Sequence, residues 1–339
     1  MGLRDYTLFD IISRNARLYP QSTAIIFEDR RITHGEYLIR VERLAAGLAA
    51  AGTGIGDRIG IVSLNCLEYL DLCGAAARLG AIVLPVNWRL SSEEMVQIFD
   101  DATPKLVFAD AEHQSVIAAA RARLPSVERY YALGAAQSPF EAYADLLHTD
   151  STAAEAAVES DSGYVMIHTA AVAGRSRGAL ISHRGLIAAS AQLIHHLNLG
   201  TEDVQLCLLP LFHITGLGLF LALQQAGGRT ALLARFDPAT AARRITEERV
   251  TLFAEFPPIL ANLLDHAVTS GADLSSLRVV LGLDTPETIA RFEATCPNAK
   301  YWAAYGQSET SGGRDLCAVS RATRICGTTR DIQPCGCGR

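Results

Sequence analysis

Four short stretches, all in the second half of the chain, stand out as places where chemistry could be carried. The first is Gly174-Arg175-Ser176-Arg177-Gly178. Glycine there lets backbone N–H groups approach an anion, and arginine supplies charge. An apolar run, Tyr164 to Ile167, precedes it, and a helical pattern begins at Ser182 with Leu186, Ile187, Ser190 and Leu193 at helical spacing. Strand, loop and helix in that order hold phosphates in many proteins, and equally form plain βα connections; no G-x-x-x-x-G-K-[ST] is present. The second stretch, Pro210 to Gly216, centres on His213, which reads either as a hydrogen-bonded core histidine or as a functional one. The third is Gly282-Leu283-Asp284-Thr285-Pro286. The fourth, Tyr305-Gly306-Gln307-Ser308-Glu309, offers a ring for stacking, a hydroxyl for phosphate and a carboxylate for Mg2+. A capped helix start explains Ser308 and Glu309 equally well.

The elements that must position these stretches alternate. Thr7 to Tyr19 reads as a helix, Ala24 to Ile32 as two short strands, and Tyr37 to Leu48 as a helical stripe closed by Gly52. Strands are expected at 58–63, 81–86 and 105–109, with helices at 68–79 and after the capping pair Ser91 and Glu94. Further strands are expected at 164–168, 204–209, 229–234, 250–254, 277–281 and 300–304, with helices between them. Near-continuous apolar strands alternating with amphipathic helices imply an α/β fold of largely parallel sheets covered by helices. The acidic, alanine-rich segment 138–162 marks a boundary, giving one α/β subdomain over 1–160 and a second over 161–312. In open α/β sheets, ligands bind beyond the carboxyl ends of strands, where the last three stretches fall.

Composition bounds the function. The 339 residues are 49% hydrophobic and 19% charged, enough for a sizeable core and about two domains. A net charge of −6 offers no basic field for nucleic acid. The N-terminus shows no apolar signal core, and Tyr6 stands where a myristoylation signal needs Ser or Thr. The most apolar window, Val204 to Leu223, holds Gln205, Pro210, His213 and Gly216, which fits a buried strand, turn and helix better than a membrane span. Cys66, Cys73, Cys207 and Cys296 lie in apolar segments and read as reduced core residues of a cytoplasmic protein. Nothing in the sequence fixes an oligomeric state.

In order and spacing, the four stretches resemble the adenylate-forming superfamily, specifically the acyl-CoA synthetases. Those enzymes carry a hydroxyl-rich loop ending G-x-P-K-G, then P-x-F-H-x-x-G, a G-x-x-P turn and Y-G-x-T-E. The resemblance implies that a carboxylic acid is activated by ATP to an acyl-adenylate with loss of pyrophosphate, then passed to coenzyme A as a thioester. It further implies that Tyr305 stacks on adenine beside Gly306 and Gln307, that Ser308 meets the adenylate phosphate, and that Glu309 holds Mg2+. His213 would line the passage between acyl group and nucleotide. Gly282, Leu283 and Asp284 would border the adenine, while Thr169, Gly174, Ser176, Arg177 and Gly178 would meet the β- and γ-phosphates. Arg177 stands where the family has lysine, and arginine can hold phosphate bidentately.

Two departures temper that expectation. The family's hydroxyl run is Ala170-Ala171-Val172-Ala173 here, so weaker ATP binding is expected, and a non-catalytic nucleotide- or acyl-binding relative is the alternative. The pattern also breaks after Gly312. Residues 313–339 hold four of the eight cysteines without a zinc-type spacing, and we read them as an aberrant, disordered tail. A shifted reading of permitted codons there yields R-P-G-S-x-G, as the family has at this place, so the tail is expected to be the product of a frameshift. The family's ribose-binding Asp and mobile C-terminal domain would then lie outside this chain, leaving little or no turnover.

Overall fold

The structure, a computed structural model, describes residues 6–148, 156–169 and 176–319, and only the backbone of 312–315 and 317–319. The first half contains α1 (Leu8–Leu18), β1 (Thr23–Phe27), β2 (Arg30–Thr33), α2 (His34–Ala50), β3 (Arg58–Val62), α3 (Leu67–Leu79), β4 (Ile82–Pro85), α4 (Ser92–Ala102), β5 (Leu106–Asp110), α5 (Gln114–Ala120), β6 (Arg129–Leu133) and β7 (Glu141–Ala142). There follow β8 (Gly163–Thr169), β9 (Arg177–Ser182), α6 (His183–Leu197), β10 (Val204–Cys207), α7 (Ile214–Ala226), β11 (Arg229–Leu232) and α8 (Pro238–Glu248). The last elements are β12 (Leu252–Glu255), α9 (Ile259–Ser270), β13 (Val279–Gly282), α10 (Pro286–Thr295), β14 (Lys300–Gln307) and β15 (Gly312–Val319).

Local chemistry sets several boundaries. Thr33 with Glu36 opens α2, and Ser91 with Glu94 opens α4, each pair exchanging side-chain and backbone hydrogen bonds. Gly227 ends α7 at φ +81°, a conformation that side chains with a Cβ resist. Strands β4, β10, β12 and β13 are buried along their whole length, as strands covered on both faces must be.

Two sheets result, of order β15-β14-β13-β12-β10-β11-β1-β2 and β7-β6-β5-β3-β4-β8-β9. Among the described residues, pairings are parallel except in the hairpins β1–β2, β8–β9 and β14–β15. The expected division at residue 160 is crossed in both directions. β1 lies parallel to β11, with Ile25 opposite Thr230, while β8 lies beside β4, with Val83 opposite Val165. The hairpins β1–β2 and β8–β9 thus each cover a strand edge that the other half of the chain leaves open. One apolar core joins Leu8, Tyr37 and Leu70 to Tyr164, Leu211 and Phe220, so the halves share an interior.

Two elements differ from expectation. The glycine- and arginine-bearing loop leads into strand β9, not into a helix. Arg177 pairs with Thr169 and Gly178 with His168 across the hairpin, and α6 starts only after Ser182, whose side chain caps it. Residues 313–319, expected to be disordered, pair antiparallel with β14 as β15. Residues 320–339 lie outside the described residues. No helix among those described is long and apolar enough to cross a membrane.

Candidate functional site

Strands β12, β13 and β14 run side by side in parallel; β12 and β13 end level with Ala303, and β14 runs on to Gln307. Their last residues and continuations (Phe256, Leu281 to Leu283, Ala304 to Gln307) form one wall of a cavity of ≈ 490 Å³. The first turns of α7 supply His213, Ile214, Thr215, Gly218 and Leu219, and Leu193 of α6 adds to the apolar part. Ser308, Glu309, Ser311 and Leu316 close one side, and Thr169 reaches in from the other sheet. The cavity thus has an apolar end and a polar end, as a site for a ligand with both characters needs.

His213 precedes α7 as its N-cap. Its Nδ1 accepts the Thr215 N–H at 3.2 Å, which leaves Nε2 as the protonated nitrogen of the neutral ring. The Phe256 ring meets it edge-on, centroids 5.7 Å apart. Desolvation lowers its pKa from 6.5, so the imidazole is neutral at pH 7. The side chain is exposed at the cavity, so it is not the buried core histidine that one sequence reading expected.

At the polar end, the Thr169 hydroxyl donates to Glu309 Oε1 at 3.3 Å, linking the two sheets. Ser308 to Thr310 form a single 3-10 turn without a side-chain cap, so capping does not account for Ser308 and Glu309. The Tyr305 ring is 63% exposed, a large apolar face turned to solvent at the cavity. Glu309 offers one carboxylate, and among the described residues no group of three His, Cys, Asp or Glu side chains could hold a metal. One carboxylate is the donor set expected where Mg2+ takes its remaining ligands from phosphates and water.

Beneath the wall, Glu255 is fully buried opposite Gly282. Its Oε1 accepts the Tyr301 hydroxyl at 2.6 Å, and its Oε2 has no hydrogen-bond partner. Burial, with help from the Asp284 charge, raises its pKa to about 7. A Cβ on Gly282 would lie 2.2 Å from the Glu255 carbonyl oxygen, so only glycine fits there.

Of the expected site residues, the cavity brings together Thr169, His213, Gly282, Leu283, Tyr305, Gly306, Gln307, Ser308 and Glu309. Asp284 is not on the wall: Oδ1 accepts the Thr285 N–H and Oδ2 is buried without a partner. Ser176 donates its hydroxyl to the Thr169 carbonyl, and Arg177 and Gly178 sit on β9 rather than on the wall. Gly174 lies outside the described residues.

Sequence reasoning missed Asn65. It follows β3, is 3% exposed, and donates to the carbonyls of Leu209 at 3.0 Å and Leu233 at 3.1 Å while accepting the Leu211 N–H at 2.8 Å. A lone Asn after a strand carries no local signal for partners so far along the chain.

Comparison with known proteins fits this geometry. Residues 12–336 match the family described as AMP-binding enzyme. A Mycobacterium tuberculosis protein named 3-[(3aS,4S,7aS)-7a-methyl-1,5-dioxo-octahydro-1H-inden-4-yl]propanoyl:CoA ligase is 32% identical, over 93% of this chain and 66% of its own length. The indoleacetate–CoA ligase of Aromatoleum aromaticum is 30% identical, over 96% of this chain and 68% of its own length. The chain thus spans about two thirds of these relatives. A crystal structure from Rhodopseudomonas palustris, assigned by its description to the long-chain-fatty-acid CoA ligases, superposes with a TM-score of 0.89 at 48% identity, covering 94% of this chain and 79% of that one. With its motifs gathered at the strand ends and the match running nearly end to end, the chain belongs to the AMP-binding enzymes of the adenylate-forming superfamily, whose matched members here are acyl-CoA ligases.

Proposed function

We propose that this chain forms the adenylate-binding part of an AMP-forming acid–thiol ligase. The observation that supports it is the convergence of Thr169, His213, Gly282, Leu283 and Tyr305 to Glu309 on one cavity with an apolar and a polar end. In the reaction, a carboxylate oxygen attacks the α-phosphorus of ATP, the α-phosphorus–oxygen bond to the β-phosphate breaks, and pyrophosphate leaves. The sulfur of coenzyme A then attacks the acyl carbon, AMP leaves with the bonding pair, and the thiol proton passes to solvent. Such chemistry asks the protein chiefly for positioning and charge stabilisation.

Each residue has a task in this reading. Tyr305 offers its exposed face to the adenine, and the backbone at Gly282 and Leu283 borders the base. Ser308 donates to the adenylate phosphate. Glu309 would hold Mg2+, which when bound neutralises phosphate charge. Neutral His213, with its proton on Nε2, stands between the apolar and polar ends as a hydrogen-bond donor. Arg177, opposite Thr169 on β9, supplies charge toward the β- and γ-phosphates. The apolar end, with Leu193, Leu219 and Phe256, takes the acyl group of the acid.

Titration calorimetry with Mg2+-ATP and with a non-hydrolysable acyl-adenylate analogue tests this. The analogue fills both ends and is expected to bind at least tenfold more tightly. Equal affinity for both would favour a nucleotide-binding protein without ligase chemistry, the reading to which the run Ala170-Ala171-Val172-Ala173 lends weight. No binding of either would remove the adenylate reading altogether.

A further inference from the structure

The turn that carries His213 is fixed from the other sheet. β10 ends at Cys207 and β11 at Leu232, and the chain then leaves the ladder. Beyond those ends, the carbonyls of Leu209 and Leu233 need donors, and the Leu211 N–H needs an acceptor. Asn65 meets all of them with one side chain, using three of its four hydrogen-bonding positions. Leu209 and Leu211 flank Pro210, which has no N–H of its own to hold the bend. The Pro210 carbonyl in turn accepts the His213 N–H at 3.1 Å and lies so near Gly216 that a Cβ there would be 2.4 Å away. A rigid chain of contacts therefore runs from Asn65, through the Pro210 bend, to the imidazole.

We propose that Asn65 is a positioning residue: its carboxamide sets where His213 stands between the apolar and polar ends of the cavity, and so aligns the acyl group with the nucleotide. Glu309 and Thr169 join the sheets at the cavity, and Asn65 joins them a second time from a buried position behind the Pro210 bend. A hydrogen-bonded side chain fully removed from water holds geometry far better than an exposed one. This inference rests on the adenylate reading only for its ligands; the placement of His213 is measurable without them.

The test uses the full chain with Asn65→Ser and Asn65→Asp. The second variant keeps the shape and the acceptor but loses both donated hydrogen bonds. Two probes are titrated: AMP, and 5′-O-(N-octanoylsulfamoyl)adenosine, which fills both ends of the cavity. The expected result is a loss of about tenfold for the acyl probe and less than twofold for AMP, since one lost alignment of about 1.4 kcal/mol is tenfold. In a His213→Ala background, the Asn65 substitutions should cost nothing further. Independently of any ligand, the His213 ring proton resonances should titrate at higher pH in both Asn65 variants, because the ring leaves its seat against Phe256. Equal losses for both probes, an undiminished Asn65 effect in His213→Ala, or an unchanged His213 titration would each overturn the proposal. So would failure of both variants to fold, which would make Asn65 a structural residue alone. If the wild-type chain binds neither probe, the adenylate reading fails while the His213 titration still decides this one.

Discussion

Tyr305 carries most of the expected base recognition, because its side chain is largely exposed at the cavity and has little packing to lose. Tyr305→Ala is expected to weaken AMP binding about tenfold or more, stacking on a base being worth about 1–3 kcal/mol, and to leave the thermal midpoint unchanged. Tyr305→Phe should keep most of the affinity; calorimetry and a melting curve on the same samples check both. Buried titratable groups set the acid response. His34 and His183 are held neutral by burial, each with its pKa lowered to about 4, so the stability they favour is present above about 6.5 and is lost as pH falls toward 4. Glu255, raised from 4.5 to about 7, works in the opposite sense: its contribution is complete below 4.5 and is lost as pH rises through 7. The two trends oppose each other between about 4.5 and 6.5. Glu255→Gln removes one of them, so its stability should climb with pH in that window more steeply than that of the parent chain, by up to about 1.4 kcal/mol per unit. Denaturant melts at successive pH values read this directly, and parallel curves for the two proteins would refute it.

At the scale of elements, two glycines of α7 two positions apart respond to replacement in opposite ways. Gly216→Ala forces a Cβ to within 2.4 Å of the Pro210 carbonyl oxygen, and overpacking of that kind costs about 1–3 kcal/mol. Gly218 has nothing within 4 Å of a built Cβ, yet it lines the cavity. Gly218→Ala should therefore keep or slightly raise the melting temperature, helix propensity gaining up to about 1 kcal/mol, while weakening the acyl-adenylate analogue more than AMP. The sequence made this helix legible because its signals are local, as it did Ser91 with Glu94 and the buried runs of β12 and β13. β9 was not legible: Arg177 to Ser182 has no strand pattern of its own, and its pairing is decided by β8 across the hairpin. β15 escaped for the same reason, its partner β14 supplying what its sequence does not declare. Asn65 lay beyond reach because its partners are 144, 146 and 168 residues away, a distance over which no periodicity speaks.

For the whole molecule, the exchange of hairpins between sheets governs how the site is held. Tyr305 comes from one sheet and Thr169 from the other, and the cavity lies where the two meet. Asp71 braces the first half from inside, fully buried and paired with Arg40 at 2.5 Å and with the Tyr143 hydroxyl at 3.2 Å. Removing that carboxylate by Asp71→Ala leaves the guanidinium without its partner, and a loss of about 3–5 kcal/mol is expected in denaturant melts. The traded hairpins reach further than stability. Neither sheet can be finished from one half of the chain, since β1 waits for β11 and β4 waits for β8. A protein severed once between His148 and Ala156 would therefore remain a single particle, its pieces clasped like two hands with crossed thumbs. Each piece made alone would search for the other before it could settle.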